Sequence, residues 1–272
     1  MYTEKSFDTG AIVVNYAEGD PDGPPLVVLH GLTQHWQSMK PLMGRLNASA
    51  QLYACDLRGH GQSGRSASGY AVPQYLPDTT AFIERCLRQP AWLLGFSLGA
   101  LVALGLAAQR PELVRGIILL DPPLSLRDGS AKGHEEIMAW LDWIAAARAA
   151  APTATGVADQ LRLIWVDDDE PEIQRGAQMV ANLDLEALAY LRDDRLLEGF
   201  DLEAVLPRVA CPVLMLCGEP ALGGVVRDKD FVLFRAKVPG SAVFRIAGVG
   251  HALPFEQPHL VVPPIQHFLR TT

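Results

Sequence analysis

Short apolar runs alternate with longer segments of helical periodicity over most of this chain. The apolar runs are rich in Val, Ile and Leu and end at glycine, proline or polar residues, which is typical of buried strands. The predicted strands cover residues 11–17, 26–30, 51–55, 91–95, 115–120, 212–217 and 243–246. Helices are predicted over residues 74–88, 98–109 and 258–270. Apolar strands that alternate with helices indicate an α/β fold, with a mostly parallel central sheet flanked by helices.

The pattern changes after residue 123, because only helix-like segments follow up to about residue 204. Within residues 133–150, apolar side chains recur at the i, i+3, i+4 and i+7 spacing of an amphipathic helix. These side chains are Ile137, Trp140, Leu141 and Ile144. Further helices are predicted over residues 158–166 and 172–191, and the acidic run at 167–172 is typical of a capped helix start rather than a metal site.

Two parts of the chain are therefore expected. Residues 1–123 and 205–272 would form the core, and residues 124–204 would form an inserted helical cap. The cap would cover the carboxyl edge of the sheet, where open α/β folds bind their ligands.

Composition and charge narrow the possible partners. Hydrophobic residues make up 49% of the 272 residues and charged residues 20%, as in one large globular domain. A net charge of −8 without a basic cluster argues against a nucleic-acid partner. No apolar run approaches the length that a membrane span needs, and the N-terminus lacks the apolar stretch of a signal peptide. We expect a cytoplasmic protein that acts on a small molecule; the oligomeric state is left open.

The cysteines and histidines suggest no metal site. The four cysteines are Cys55, Cys86, Cys211 and Cys217. None has the Cys/His spacing of a zinc site, and we expect all four to be reduced thiols.

The segment Gly95-Phe96-Ser97-Leu98-Gly99 follows a predicted strand and opens a predicted helix. Gly-x-Ser-x-Gly in this context is the pattern of a nucleophile elbow, a tight turn that exposes its serine. Both glycines are expected because a side chain there would collide with the neighbouring elements. Ser97 is therefore the candidate nucleophile.

Two further motifs supply partners for Ser97. His251 follows the late strand 243–246 in a glycine-rich loop and is the candidate general base. Leu29-His30-Gly31 ends the strand at 26–30, and the N–H groups of Leu32 and Leu98 are candidates for an oxyanion hole. His30 is expected to shape its loop through hydrogen bonds.

Four motifs in order resemble those of the α/β-hydrolase fold family, in its small serine hydrolase or esterase type with a helical cap. They are Leu29-His30-Gly31, the Asp56–Ser63 segment DLRGHGQS, the Ser97 elbow and Gly250-His251. The resemblance implies a Ser–His–acid triad and no cofactor. A substrate pocket is expected around His30, Phe96, Trp140 and Trp143, with the tryptophans either packing the cap onto the core or contacting substrate.

The acid of the triad is where the chain departs from the family pattern. The family often places an Asp three residues after the glycine that ends the penultimate strand, and Ala221 occupies that position here. Asp121, at the end of strand 115–120, is the favoured substitute, and Glu219 is the alternative. A third possibility is that Ala221 replaces a native Asp.

The expected reaction is hydrolysis of a carboxylic ester, or of another activated acyl bond, through an acyl-enzyme. Three alternatives remain. One is a cofactor-free lyase or oxygenase in which His251 deprotonates the substrate. Another is C–C bond hydrolysis, which needs a cationic carboxylate clamp that the sequence does not locate. The last is a ligand-binding protein with an impaired triad.

Overall fold

The computed structural model describes residues 1–20, 22–66, 69–125, 132–166 and 168–272. Within these residues, eight strands form one sheet in the order β1-β2-β4-β3-β5-β6-β7-β8. The strands are β1 (Thr3–Asp8), β2 (Val13–Glu18), β3 (Pro25–Leu29), β4 (Gln51–Cys55), β5 (Ala91–Phe96), β6 (Val114–Leu120), β7 (Val213–Cys217) and β8 (Ala242–Arg245). Pairing is antiparallel between β1 and β2 and between β2 and β4, and parallel from β4 to β8.

Helices cover both faces of the sheet. The described helices are α1 (Lys40–Leu46), α2 (Val72–Ala81), α3 (Leu98–Gln109), α4 (Lys132–Ala150), α5 (Ala154–Leu161), α6 (Glu170–Asn182), α7 (Leu185–Arg192), α8 (Leu202–Val205), α9 (Asp228–Lys237), α10 (Leu253–Glu256) and α11 (Pro258–Thr271). Apolar side chains of α2 and α3 join the core cluster on one face, and those of α1 and α11 join the cluster on the other. Strands β3, β5 and β7 are buried along their whole length, which explains why their sequences are continuous apolar runs.

The predicted α/β-hydrolase architecture is confirmed, and the exceptions have local causes. Strand β1 was not predicted because its residues TEKSFD are almost all exposed and polar. No helix was predicted between residues 217 and 243, but Asp228–Lys237 forms helix α9. The helix expected at 158–166 is instead α5, whose last residue is Leu161.

Helices α4 to α7 enclose an apolar cluster of their own. Its buried members include Leu141, Ile144, Val157, Ile173 and Val180. Because this cluster is separate from the two that cover the sheet, we propose that residues 124–204 form a cap on the core. The acidic run does cap a helix: the Asp169 side chain accepts the Glu172 N–H at 2.9 Å. None of the helices in the described part of the chain combines the length and the apolar character that crossing a bilayer requires.

Candidate active site

Ser97 lies in a strained turn between β5 and α3. Its backbone φ of +50° falls in a region that L-residues seldom adopt, and its N–H donates to the Leu120 carbonyl at 3.0 Å. Such a conformation costs on the order of 1–3 kcal/mol and persists only where the surroundings enforce it. The turn therefore has the backbone geometry expected of a nucleophile elbow.

The two glycines of the elbow are required by close backbone approach. A Cβ at Gly95 would lie 2.3 Å from the Gly99 carbonyl oxygen, and a Cβ at Gly99 would lie 2.3 Å from the Leu29 carbonyl oxygen. Helix α3 thus packs its first turn directly on β3 and β5. Its N-terminus lies at Ser97, where helix N–H groups favour negative charge.

His251 contacts a carboxylate from the tip of β6. Its Nδ1 lies 2.7 Å from Oδ2 of Asp121, whose side chain is fully buried. The Gly218 N–H donates to Asp121 Oδ1 at 3.1 Å, and the Val225 N–H donates to Oδ2 at 2.9 Å. These donors fix the carboxylate in one orientation, with one oxygen directed at the imidazole.

Glu219, the alternative acid, has a different partner. Its Oε1 accepts the Gly248 N–H at 2.9 Å, and it makes no described hydrogen bond to His251. Ala221 is exposed, in the short 3-10 turn Pro220–Leu222. Of the two acids considered, Asp121 is the one that the fold brings to the histidine.

Ser97 and His251 line the same cavity, which has a volume of about 240 Å³. Leu32, Leu98, Phe96 and Trp140 also contribute to its wall. Leu98 is the first residue of α3, so its N–H has no partner within the helix. The Gly99 N–H donates to the His30 carbonyl at 3.1 Å and holds the loop before Leu32 against the helix.

The expectation that His30 and Trp143 contribute to the pocket is corrected, because neither residue lines the cavity. His30 is fully buried behind it. Its Nε2 accepts the Leu57 N–H at 2.9 Å, so its Nδ1–H donates to the Gly31 carbonyl at 2.8 Å. Burial lowers the pKa of His30 to about 3 and keeps the ring neutral. Trp143 stacks on Trp140 with 4.9 Å between ring centroids and packs against the cap cluster.

Several polar side chains in the wall were missed by the sequence analysis. They are Thr33, Gln34, Ser125 and Arg227. Thr33 and Gln34 follow the Leu29-His30-Gly31 motif, which was a usable signal. Arg227 directly precedes α9, and nothing in its local sequence distinguishes it from a surface arginine.

A mostly parallel sheet whose strand tips bring together an elbow serine, a histidine and a buried aspartate defines the class of α/β hydrolases. The model of the Alpha/beta hydrolase family matches residues 26–263, and the chain belongs to this family.

Curated relatives include 2-(acetamidomethylene)succinate hydrolase of Mesorhizobium japonicum, 35% identical over 120 residues that cover 44% of this chain and 43% of that protein. Another is pimeloyl-[acyl-carrier protein] methyl ester esterase of Xylella fastidiosa, 39% identical over 105 residues that cover 39% of each. The chain thus matches less than half the length of these two relatives. The solved structure of E-2-(acetamidomethylene)succinate hydrolase superposes with a TM-score of 0.74 over 100% of both chains, at 24% identity, and this likeness concerns the fold alone.

Proposed function

We propose that this protein is a serine hydrolase that cleaves a carboxylic ester, or another activated acyl bond, of a small molecule through an acyl-enzyme. The observation that carries the proposal is the 2.7 Å contact between Asp121 and His251 beside a cavity that Ser97 also lines. The names of the two relatives, a hydrolase and a methyl ester esterase, support the same class of reaction.

In the proposed reaction, Ser97 Oγ attacks the acyl carbon as His251 Nε2 accepts its proton. Asp121 holds the imidazole with Nδ1–H toward the carboxylate and stabilises the imidazolium that forms. The N–H groups of Leu98 and Leu32 would bind the developing oxyanion, at about 3–4 kcal/mol per donor. Protonated His251 then returns its proton to the leaving group, and water hydrolyses the acyl-enzyme by the same route.

The alternative of a ligand-binding protein with an impaired triad depended on the missing acid at Ala221. Because another carboxylate, that of Asp121, lies against His251, we place the hydrolase first. The lyase or oxygenase alternative needs no covalent bond to Ser97, so a covalent probe separates it from the proposal.

The test is labelling with a fluorophosphonate, read by intact mass and peptide mapping. We expect one equivalent on Ser97 in the wild type, and neither labelling nor ester turnover in Ser97→Ala. Ser125→Ala is a matched control because Ser125 lines the same cavity, and it should still be labelled. Turnover that survives Ser97→Ala would refute the proposal.

A further inference from the structure

Arg227 introduces a positive charge into a largely apolar wall. Among the described residues that line the cavity, it is the only arginine or lysine. Its side chain is 17% exposed, and it directly precedes helix α9. A charge in such a place loses much of its hydration, which is costly unless ionic or hydrogen-bonding partners compensate.

A buried carboxylate holds Arg227 in position. Asp230 is 3% exposed and does not line the cavity. Its Oδ2 accepts the Arg227 backbone N–H at 3.0 Å and lies 3.5 Å from Arg227 Nε. Arg227 Nη2 donates to the Ser125 carbonyl at 3.2 Å, and the Ser125 hydroxyl contacts the other oxygen of Asp230. These contacts hold the guanidinium on the side of Asp230, and Arg227 also contributes to the wall of the cavity.

We propose that Arg227 determines specificity by binding a carboxylate on the substrate, so that the preferred ester or acyl compound is an anion. This inference rests on the proposed function, because it concerns the substrate of the same cavity. A guanidinium serves several acceptors at once, since it carries five N–H donors in one plane, and carboxylates match its geometry. An anionic substrate needs such a local cation because the chain as a whole carries a charge of −8.

Arg227 would also be the cationic carboxylate clamp that the alternative reaction, C–C bond hydrolysis, requires. A carboxylate bound by Arg227 would fix how far the reacting carbonyl lies from Ser97. The distance between the two acyl ends of the substrate should therefore matter, and a series of chain lengths should have an optimum.

The test compares two matched series of p-nitrophenyl esters. One series consists of the mono-esters of succinic, glutaric and adipic acid, and the other of the neutral esters of the monocarboxylic acids of equal chain length. For the wild type, we expect a higher kcat/KM for the anionic ester at one chain length. Arg227→Met should lower that value by about tenfold or more, mainly through KM, and should change the neutral esters by less than about threefold. Arg227→Lys should fall between the two, because it keeps the charge and loses the planar fork.

An equal loss on both series in Arg227→Met, together with a lowered melting temperature, would overturn the proposal and leave a purely structural role beside Asp230. So would a wild type that hydrolyses the esters but prefers no anionic ester over its neutral counterpart. Calorimetric binding of succinate, glutarate and adipate to the wild type and to Arg227→Met tests recognition without turnover. If no ester is hydrolysed but a dicarboxylate binds only the wild type, the proposed function fails and the role of Arg227 stands. If no ester is hydrolysed and no dicarboxylate binds the wild type more tightly than Arg227→Met, the role of Arg227 is refuted as well.

Discussion

Replacing Asp121 by asparagine should disable catalysis while it leaves the shape of the site almost unchanged. The carboxylate accepts three hydrogen bonds, from Gly218 N–H at 3.1 Å, Val225 N–H at 2.9 Å and His251 Nδ1 at 2.7 Å. An amide has one oxygen and one NH₂ group, so in either orientation its NH₂ faces at least one of these donors. The imidazole loses the acceptor that holds its tautomer, or the loop loses one of its anchors.

The magnitude follows from these contacts. Loss of the acceptor at the triad histidine is expected to reduce turnover on the order of 10³–10⁴-fold, by analogy with serine proteases. Because the side chain is fully buried, an unsatisfied donor beside it should also cost about 1–3 kcal/mol of unfolding free energy. The assay is kcat for a short aryl ester, with urea unfolding measured in parallel.

Glu219→Gln is the matched control, since the side chain of Glu219 accepts only the exposed Gly248 N–H in the described contacts. Its effect on kcat should be far smaller. If the two effects came out reversed, the acid would belong to the loop after β7 and our assignment would be wrong. Ala221→Asp should not rescue Asp121→Asn, because residue 221 is exposed; a rescue would mean that a native Asp has been lost there.

Two further outcomes are expected. Trp140 lines the cavity and stacks on Trp143. Trp140→Ala should therefore change the preference among acyl chain lengths, measured on an ester series, more than Trp143→Ala does. Equal losses of activity on every ester in both variants would indicate packing alone. Burial lowers the pKa of His30 and of His60 to about 3, so the unfolded chain takes up protons first as the pH falls below about 6.5. The contribution of these two histidines to the unfolding free energy should be fully present above that pH and should be lost progressively as the pH falls toward 3. The loss should be about 2 kcal/mol per histidine at pH 5. Urea unfolding that gives the same free energy at pH 7 and pH 5 would contradict this.

Much of the fold could be predicted from the sequence because its signals are local. Strands β3, β5 and β7 are apolar throughout, and β6 is apolar apart from the exposed Arg115, since both faces of the sheet are covered. The edge strand β1 lacked that signal because it is solvent-exposed, and its pairing with β2 comes from backbone hydrogen bonds that carry no side-chain pattern.

The sequence by itself determined the elbow. Gly95, Ser97 and Gly99 lie within five residues, and the steric reason for the glycines is a contact between adjoining elements that any such strand–turn–helix must make. It likewise determined the late position of His251 and the amphipathic face of α4, whose periodicity is a property of one helix.

Only the tertiary structure decided which acid reaches the histidine and which side chains face the cavity. Asp121 and His251 are 130 residues apart in the chain, and their contact depends on the parallel pairing of β6 with β7 and on the loops that follow. Glu219 is closer to His251 in sequence, yet its side chain turns to the backbone of Gly248. Arg227 belongs to no sequence motif, and in the wall it contacts Asp230 and Ser125. Local spacing encodes elements and turns, whereas contacts between distant loops depend on how every element between them packs.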